Sequence, residues 1–337
     1  MHDFAEGMMS ELEKLPISIV SGFLGAGKTT LIKRLLGEPD MAGTAVIINE
    51  FGEISLDHLL VKEVAPDVLE MPNGCLCCAL RGDIIQTLAG LLELRAQGKA
   101  CFDHVLIETS GLADPAPIVA TVSSHHYLEA AFRIHSVLVV IDGGFGPGRY
   151  EQHPEALGQL LTADAVVISK TDLGTPNDDL LPHIENTNPS AQRLLALDVA
   201  KIIAFLREPT VESTRRFPPA MAVAEHGLGI SSVSIALTRP VSRLAFAQAL
   251  GMLTTERGDD ILRIKGIVRF SDSERPGAAI HAVQHTLYAP EWLASWPDDD
   301  PRGRLVLIGR NIDPADMVRR FAAAGAALWT PAALKAA

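Results

Sequence analysis

The chain has 337 residues, of which 47% are hydrophobic and 21% charged, enough apolar material for two folded domains and a balance that excludes compositional disorder. Its formal net charge of −12 repels a phosphate backbone and argues against general nucleic-acid binding. No apolar run approaches the length that crosses a bilayer, and the polar, acidic start from Met1 to Lys14 is unlike a secretory signal.

A tail over residues 1–14 leads into Val- and Ile-rich runs at Ile17–Ser21, Ala45–Asn49, His104–Glu108, Val137–Asp142 and Ala165–Ser169. They lack clean alternation, as strands covered on both faces do. Helical spacing at Thr29–Leu36 and Asp83–Gln97 falls between them. The order predicts an α/β domain with a mostly parallel sheet over 15–208. Prolines mixed with charge from Pro209 to Pro219 place a linker over 209–230. Beyond it, a helix at Ser242–Thr254, strands at Ile261–Phe270, Ala278–Tyr288 and Arg304–Gly309, and a helix at Ala315–Ala324 predict a smaller α+β domain over 231–337.

Gly22-Phe23-Leu24-Gly25-Ala26-Gly27-Lys28-Thr29 matches the P-loop pattern and sits between a predicted strand and a predicted helix. Gly22, Gly25, Ala26 and Gly27 let the backbone curl its N–H groups toward phosphate oxygens. Lys28 would reach the β and γ phosphates, the Thr29 hydroxyl would hold Mg²⁺, and the helix start at Lys28, Thr29 and Thr30 adds its positive end. This is the strongest signal in the chain.

Glu108 ends the strand expected beside the P-loop strand, placed to act on Mg²⁺ or its water shell, and Gly111 can offer a backbone N–H to the γ-phosphate. Ser169-Lys170-Thr171-Asp172 follows the next strand but one. A carboxylate at Asp172 can accept from guanine N1–H and the exocyclic amine, donors that adenine lacks there, while Lys170 can lay its stem along the base. This favours GTP over ATP. Ser169 stands where the guanine-reading motif Asn-Lys-x-Asp has Asn, a loss of an amide expected to loosen the loop or the base contact.

Cys75, Cys77 and Cys78 crowd into four positions after the turn at Pro72-Asn73-Gly74. Such spacing suits metal or redox chemistry in a reducing compartment rather than a disulfide framework, and predicts a cytoplasmic protein. Three soft thiolates suit Zn²⁺ first and Co²⁺ second, and they leave a tetrahedral ion one open position for exchange. Cys101 stands apart and is expected to pack as a small apolar residue. His125-His126 is expected to face solvent, and His281 and His285 to share a strand face in a structural role.

Gly22–Thr30, Asn49-Glu50-Phe51-Gly52, Gly74-Cys75-Leu76-Cys77-Cys78, Glu108–Pro115 and Ser169–Asp172, in that order, resemble the CobW-type family of metal-handling P-loop GTPases. Arg263-Ile264-Lys265-Gly266 and Gln284-His285-Thr286-Leu287 resemble the small domain attached to them. The resemblance implies a GTP-hydrolysing metallochaperone that serves a client metalloprotein or a cobalamin-pathway enzyme. It also implies that Asn49, Glu50 and Gly52 form a switch sensing the γ-phosphate and that the three cysteines hold the cargo ion. Mg·GTP would organise the thiolates, and hydrolysis would relax them. Nucleotide-dependent oligomers fit the same picture. A phosphotransferase and a nucleotide-stabilised metal-storage module are the alternatives.

Overall fold

The computed structural model describes residues 14–48, 68–70, 80–146, 148, 152–174, 177–207, 223–226, 230–258, 260–283, 286–287, 290–297 and 299–329. Seven parallel strands form the first sheet: β1 (Leu15–Ser21), β2 (Thr44–Ile48), β3 (Val68–Glu70), β4 (His104–Glu108), β5 (Phe132–Asp142), β6 (Ala165–Ser169) and β7 (Gln192–Leu195). Their spatial order is β3-β2-β4-β1-β5-β6-β7. The chain moves to one side of β1 for β2 to β4 and to the other for β5 to β7. The P-loop strand thus stands at the point where the order reverses, and the crevice beyond its carboxyl end is where such sheets bind ligands.

The unbroken apolar character of these strands follows from burial on both faces. Ile17 and Ile19 of β1 join a layer covered by α2 (Leu80–Ala96), α3 (Ala116–Ser124), α5 (Pro154–Thr162) and α6 (Leu180–Thr187), with α4 (His126–Ala131) at its rim. Val20 points the other way, into a layer closed by Leu31, Ile32 and Leu35 of α1 (Lys28–Leu36) and by Ile202, Phe205 and Leu206 of α7 (Val199–Arg207).

The second sheet is antiparallel. It contains β8 (Val223–His226), β9 (Ile230–Leu237), β10 (Ile261–Val268), β11 (Ala278–Val283), β12 (Thr286–Leu287), β13 (Glu291–Trp292), β14 (Gly303–Arg310) and β15 (Ala326–Leu328). Val223–His226 falls inside the segment expected as a linker and pairs with β9. α8 (Arg243–Arg257) and α9 (Pro314–Arg320) bury Phe246, Leu250, Leu253 and Met317 against one face of the sheet. The opposite face meets the first domain, where Val306 and Ile308 of β14 pack on Leu157 and Leu161 of α5.

The run Ala278–Tyr288, expected as one strand, divides into β11 and β12, which pair antiparallel with each other. β propensity is continuous across the run, and it does not reveal where a chain reverses. Cys101 is exposed instead of packed, because it lies in the connection before β4 rather than in either apolar layer. His126 is exposed and His125 is half-buried. Among the described residues, no helix is long and apolar enough to cross a membrane.

Candidate nucleotide site

The P-loop leaves β1 at Ser21 and turns into α1. Gly22 has a φ of 138°, and a Cβ there would strike the carbonyl oxygen of Val140 on β5, so only glycine lets the loop start this close to the sheet. Gly25 and Gly27 also have positive φ. Gly27 caps α1 without a side-chain hydrogen bond, and the first turn of the helix holds no acidic residue. Its N-terminal N–H groups and positive dipole end are therefore available to an anion. Thr30 lies exposed on this turn, and Ala26 is buried beneath it.

The Lys28 ammonium donates to Gly22 O at 2.9 Å, folding back over the loop it serves. Thr29 Oγ1 donates to Glu108 Oε1 at 2.7 Å. Glu108 is 5% exposed and ends β4, which pairs with β1 so that Val20 and Glu108 are register partners. Hydroxyl and carboxylate meet although the residues lie 79 positions apart. Their oxygens form a hard donor set of the kind that suits Mg²⁺, and their place at the mouth of the phosphate loop fits the ion that accompanies a nucleoside triphosphate. The loop after β4 completes this end. Gly111 lies so close to the P-loop that a Cβ would sit 2.7 Å from the backbone nitrogen of Leu24.

On the other side of the P-loop strand, Ser169 closes β6 and Lys170 takes a φ of 57°, a left-handed conformation that side chains rarely adopt outside constrained sites. The Lys170 ammonium pairs with Asp142 Oδ2 at 2.8 Å, and Gly144 N donates to Asp142 Oδ1 at 2.9 Å. Asp172 is exposed on the loop that follows. A looser loop, one of the two effects expected from serine in place of asparagine, is not what the geometry shows. Ser169 Oγ donates to Ala26 O at 2.6 Å and has Ile141 O at 3.0 Å. The hydroxyl thus ties the loop after β6 to the P-loop. A short side chain achieves this because β6 brings it directly beneath Ala26.

The structure therefore brings Thr29 to Glu108 and Gly111 to the P-loop that carries Lys28, and links that loop through Ala26 to Ser169 and Lys170. Cys75, Cys77 and Cys78 of the thiolate motif, and Asn49, Glu50 and Gly52 of the switch-like segment, lie outside the described residues. Among the described residues, no cluster of three or more His, Cys, Asp or Glu side chains could hold a metal ion. Asp142, and Gln159, whose amide donates to Gly111 O and Ala113 O, lie outside the sequence motifs. Asp142 had a readable signal, an acidic residue at the carboxyl end of a buried strand. Gln159 had none, since a lone glutamine in a helix normally reads as surface.

Two family models match the chain. The nucleotide-binding domain described as CobW/HypB/UreG covers residues 16–194, and the cobalamin synthesis protein cobW C-terminal domain covers 230–325. The "Zinc chaperone YjiA" of Escherichia coli is 30% identical, over 92% of this chain and 99% of that protein. The "Zinc chaperone CobW" of Pseudomonas aeruginosa is 28% identical, over 93% of this chain and 92% of that protein. The crystal structure of Zn(II)-bound YjiA GTPase from E. coli superposes with a TM-score of 0.67 at 24% identity, covering 92% of this chain and 98% of that one, a likeness of fold. With the P-loop and its partners in place and both domain models matched in order, the chain belongs to the CobW/HypB/UreG family of nucleotide-binding proteins and carries the CobW C-terminal domain.

Proposed function

We propose that the chain is a Mg²⁺-dependent GTPase that carries zinc to a client metalloprotein. The observation that carries the nucleotide half is the contact between Thr29 and Glu108 at 2.7 Å beside Lys28, at the mouth of a glycine loop that approaches its sheet too closely for any side chain. When bound, the magnesium ion offsets the charge that develops on the transferring phosphoryl group. Thr29 and Glu108 would hold that ion or its water shell. Lys28 exchanges its loop carbonyl for phosphate oxygens. The uncapped start of α1 supplies fixed positive potential that needs no reorganisation during the reaction. Gly111 presents its backbone to the terminal phosphate, and water attack is aided by positioning rather than by a dedicated base.

Guanine preference rests on Asp172, whose carboxylate accepts from both guanine donors, and on Lys170, held in register by Asp142. The cargo half rests on Cys75, Cys77 and Cys78 and on the names of the relatives, which are zinc chaperones. Three thiolates bind zinc firmly yet leave it able to leave, and Asn49, Glu50 and Gly52 would serve as the switch that senses the γ-phosphate.

Phosphate release measured with GTP and with ATP, with and without Mg²⁺, tests the nucleotide half. The expected result is turnover of GTP only, abolished by chelation and by Lys28→Ala. Equal turnover of both nucleotides, or turnover that survives Lys28→Ala, would overturn it.

A further inference from the structure

One helix touches both the phosphate-sensing loop and the second domain. On one side of α5, Gln159 is 1% exposed and spends both hydrogens of its amide on the loop after β4, donating to Gly111 O at 3.2 Å and to Ala113 O at 2.9 Å. On the opposite side, Leu157 and Leu161, one helical turn apart, pack against Val306 and Ile308 of the antiparallel sheet. At the end of α5 the contact becomes ionic. Thr162 O accepts from Arg263 Nη1, and Asp164 Oδ1 accepts from Arg263 Nη2 and, at 3.3 Å, from Lys265 Nζ. Asp164 Oδ2 takes the backbone N–H of Val137 at 2.9 Å, fixing the carboxylate to β5. Arg263 and Lys265 are 4% and 1% exposed, so this is a buried grip and not a surface pair.

The local structure of β10 supports the grip. Its register with β14 shifts between Ile261 and Arg263, which turns Leu262 and Arg263 together toward α5 instead of letting them alternate. Lys265 then follows on the same face. Gly266 runs flat against the neighbouring strand, where a Cβ would sit 2.9 Å from the Cα of Leu305. The Arg263-Ile264-Lys265-Gly266 motif thereby acquires a physical role, which is to clamp the second domain onto the far end of α5.

We propose that Gln159 is a positioning residue for the nucleotide cycle, and that α5 carries the state of the Gly111 loop to the antiparallel domain through Thr162, Leu157 and Leu161, beside the Asp164 clamp that holds Arg263 in place. The proposal rests on the P-loop reading above. The N–H groups of this loop can face the terminal phosphate only if its peptides keep their orientation, and Gln159 restrains them by holding the Gly111 and Ala113 carbonyls. When the loop closes on the phosphate, α5 either moves with it or loses two buried hydrogen bonds. A packed helix moves as a unit, and the Thr162 carbonyl that Arg263 donates to, together with Leu157 and Leu161, passes that movement to the antiparallel sheet, while Asp164 stays fixed to β5.

The test is hydrogen exchange by mass spectrometry on the full chain, with Mg·GTP analogue and with Mg·GDP, alongside the affinity for each nucleotide. In the wild type, exchange across α5 and β10 should differ between the two states. In Gln159→Met, which keeps length and helix propensity but removes the amide, GTP-analogue affinity should fall about tenfold relative to GDP and the exchange difference in β10 should vanish. In Asp164→Asn, the affinity ratio should stay within about twofold of wild type while the difference in β10 diminishes. A wild-type chain that binds both nucleotides with identical exchange in β10 overturns the proposal without recourse to any variant. So does Gln159→Met with an unchanged affinity ratio. A wild type that binds neither nucleotide would instead refute the P-loop reading itself.

Discussion

Replacing Ser169, a residue 5% exposed, with alanine removes a hydroxyl that lies 2.6 Å from Ala26 O and 3.0 Å from Ile141 O. A hydroxyl carries one hydrogen, so the shorter contact takes most of it, and the loss falls on the phosphate-loop carbonyl. A buried acceptor left without its donor costs roughly 1–3 kcal/mol. Part of that appears as lost stability of the free chain, and the remainder, about 1.4 kcal/mol, is a tenfold weakening of nucleotide affinity. Because the hydroxyl holds the loop and not the base, GTP and GDP should weaken together and guanine should remain preferred over adenine. Ser169→Asn brings two amide hydrogens to the same two carbonyls and should bind at least as tightly as wild type. Titration of fluorescent guanine and adenine nucleotides, with thermal melts as a control for folding, reads all of these. Loss of guanine preference in Ser169→Ala at unchanged affinity would refute the tether, since it would make the serine a reader of the base.

Other expectations follow from the same geometry. Glu108→Gln keeps the shape beside Thr29 but removes the charge that favours a divalent ion, so GTP turnover should drop on the order of 10²-fold and need more Mg²⁺, as a magnesium titration of the rate would show. Asp164→Ala leaves Arg263 and Lys265 buried without their carboxylate and should cost about 3–5 kcal/mol in denaturant unfolding, provided the two domains unfold together. Burial holds His104 down to about 3, with His135 adding to the effect, and burial with the neighbouring Arg133 holds His135 down to about 4. Both stay neutral when folded but take protons below the ordinary 6.5 when unfolded. Stability is thus complete above about 6.5 and lost as pH falls through that value toward about 3, at roughly 2 kcal/mol per histidine between about pH 7 and pH 5. Denaturant midpoints across this range, compared with those of His104→Gln, measure the slope.

Features set by short-range pattern were legible in the sequence. Buried parallel strands announce themselves as unbroken Val and Ile runs, and a phosphate loop needs glycines and a lysine at fixed spacing, so β1, α1, β4 and β6 could be placed directly. β9 escaped because Ser231, Ser232 and Ser234 interrupt its apolar run, although Ser232 and Ser234 are buried in the sheet. The contacts of Gln159 and Arg263 escaped because they depend on residues distant in the chain. Gln159 serves a loop 46 and 48 positions away, and Arg263 reaches a carbonyl 101 positions back. No local period encodes such pairings. Serine at 169 suggested a looser loop because the side chain was judged by its type, whereas its effect depends on how near Ala26 lies.

Zinc affinity tests the account most directly, by competition with a calibrated chelator in the presence of Mg·GTP analogue, Mg·GDP or no nucleotide, for wild type and Cys77→Ser. The account predicts a tight zinc site with the GTP analogue that weakens with GDP and disappears in the variant. Equal zinc affinity in all three nucleotide states would contradict it, because the phosphate loop and the thiolates would then act independently.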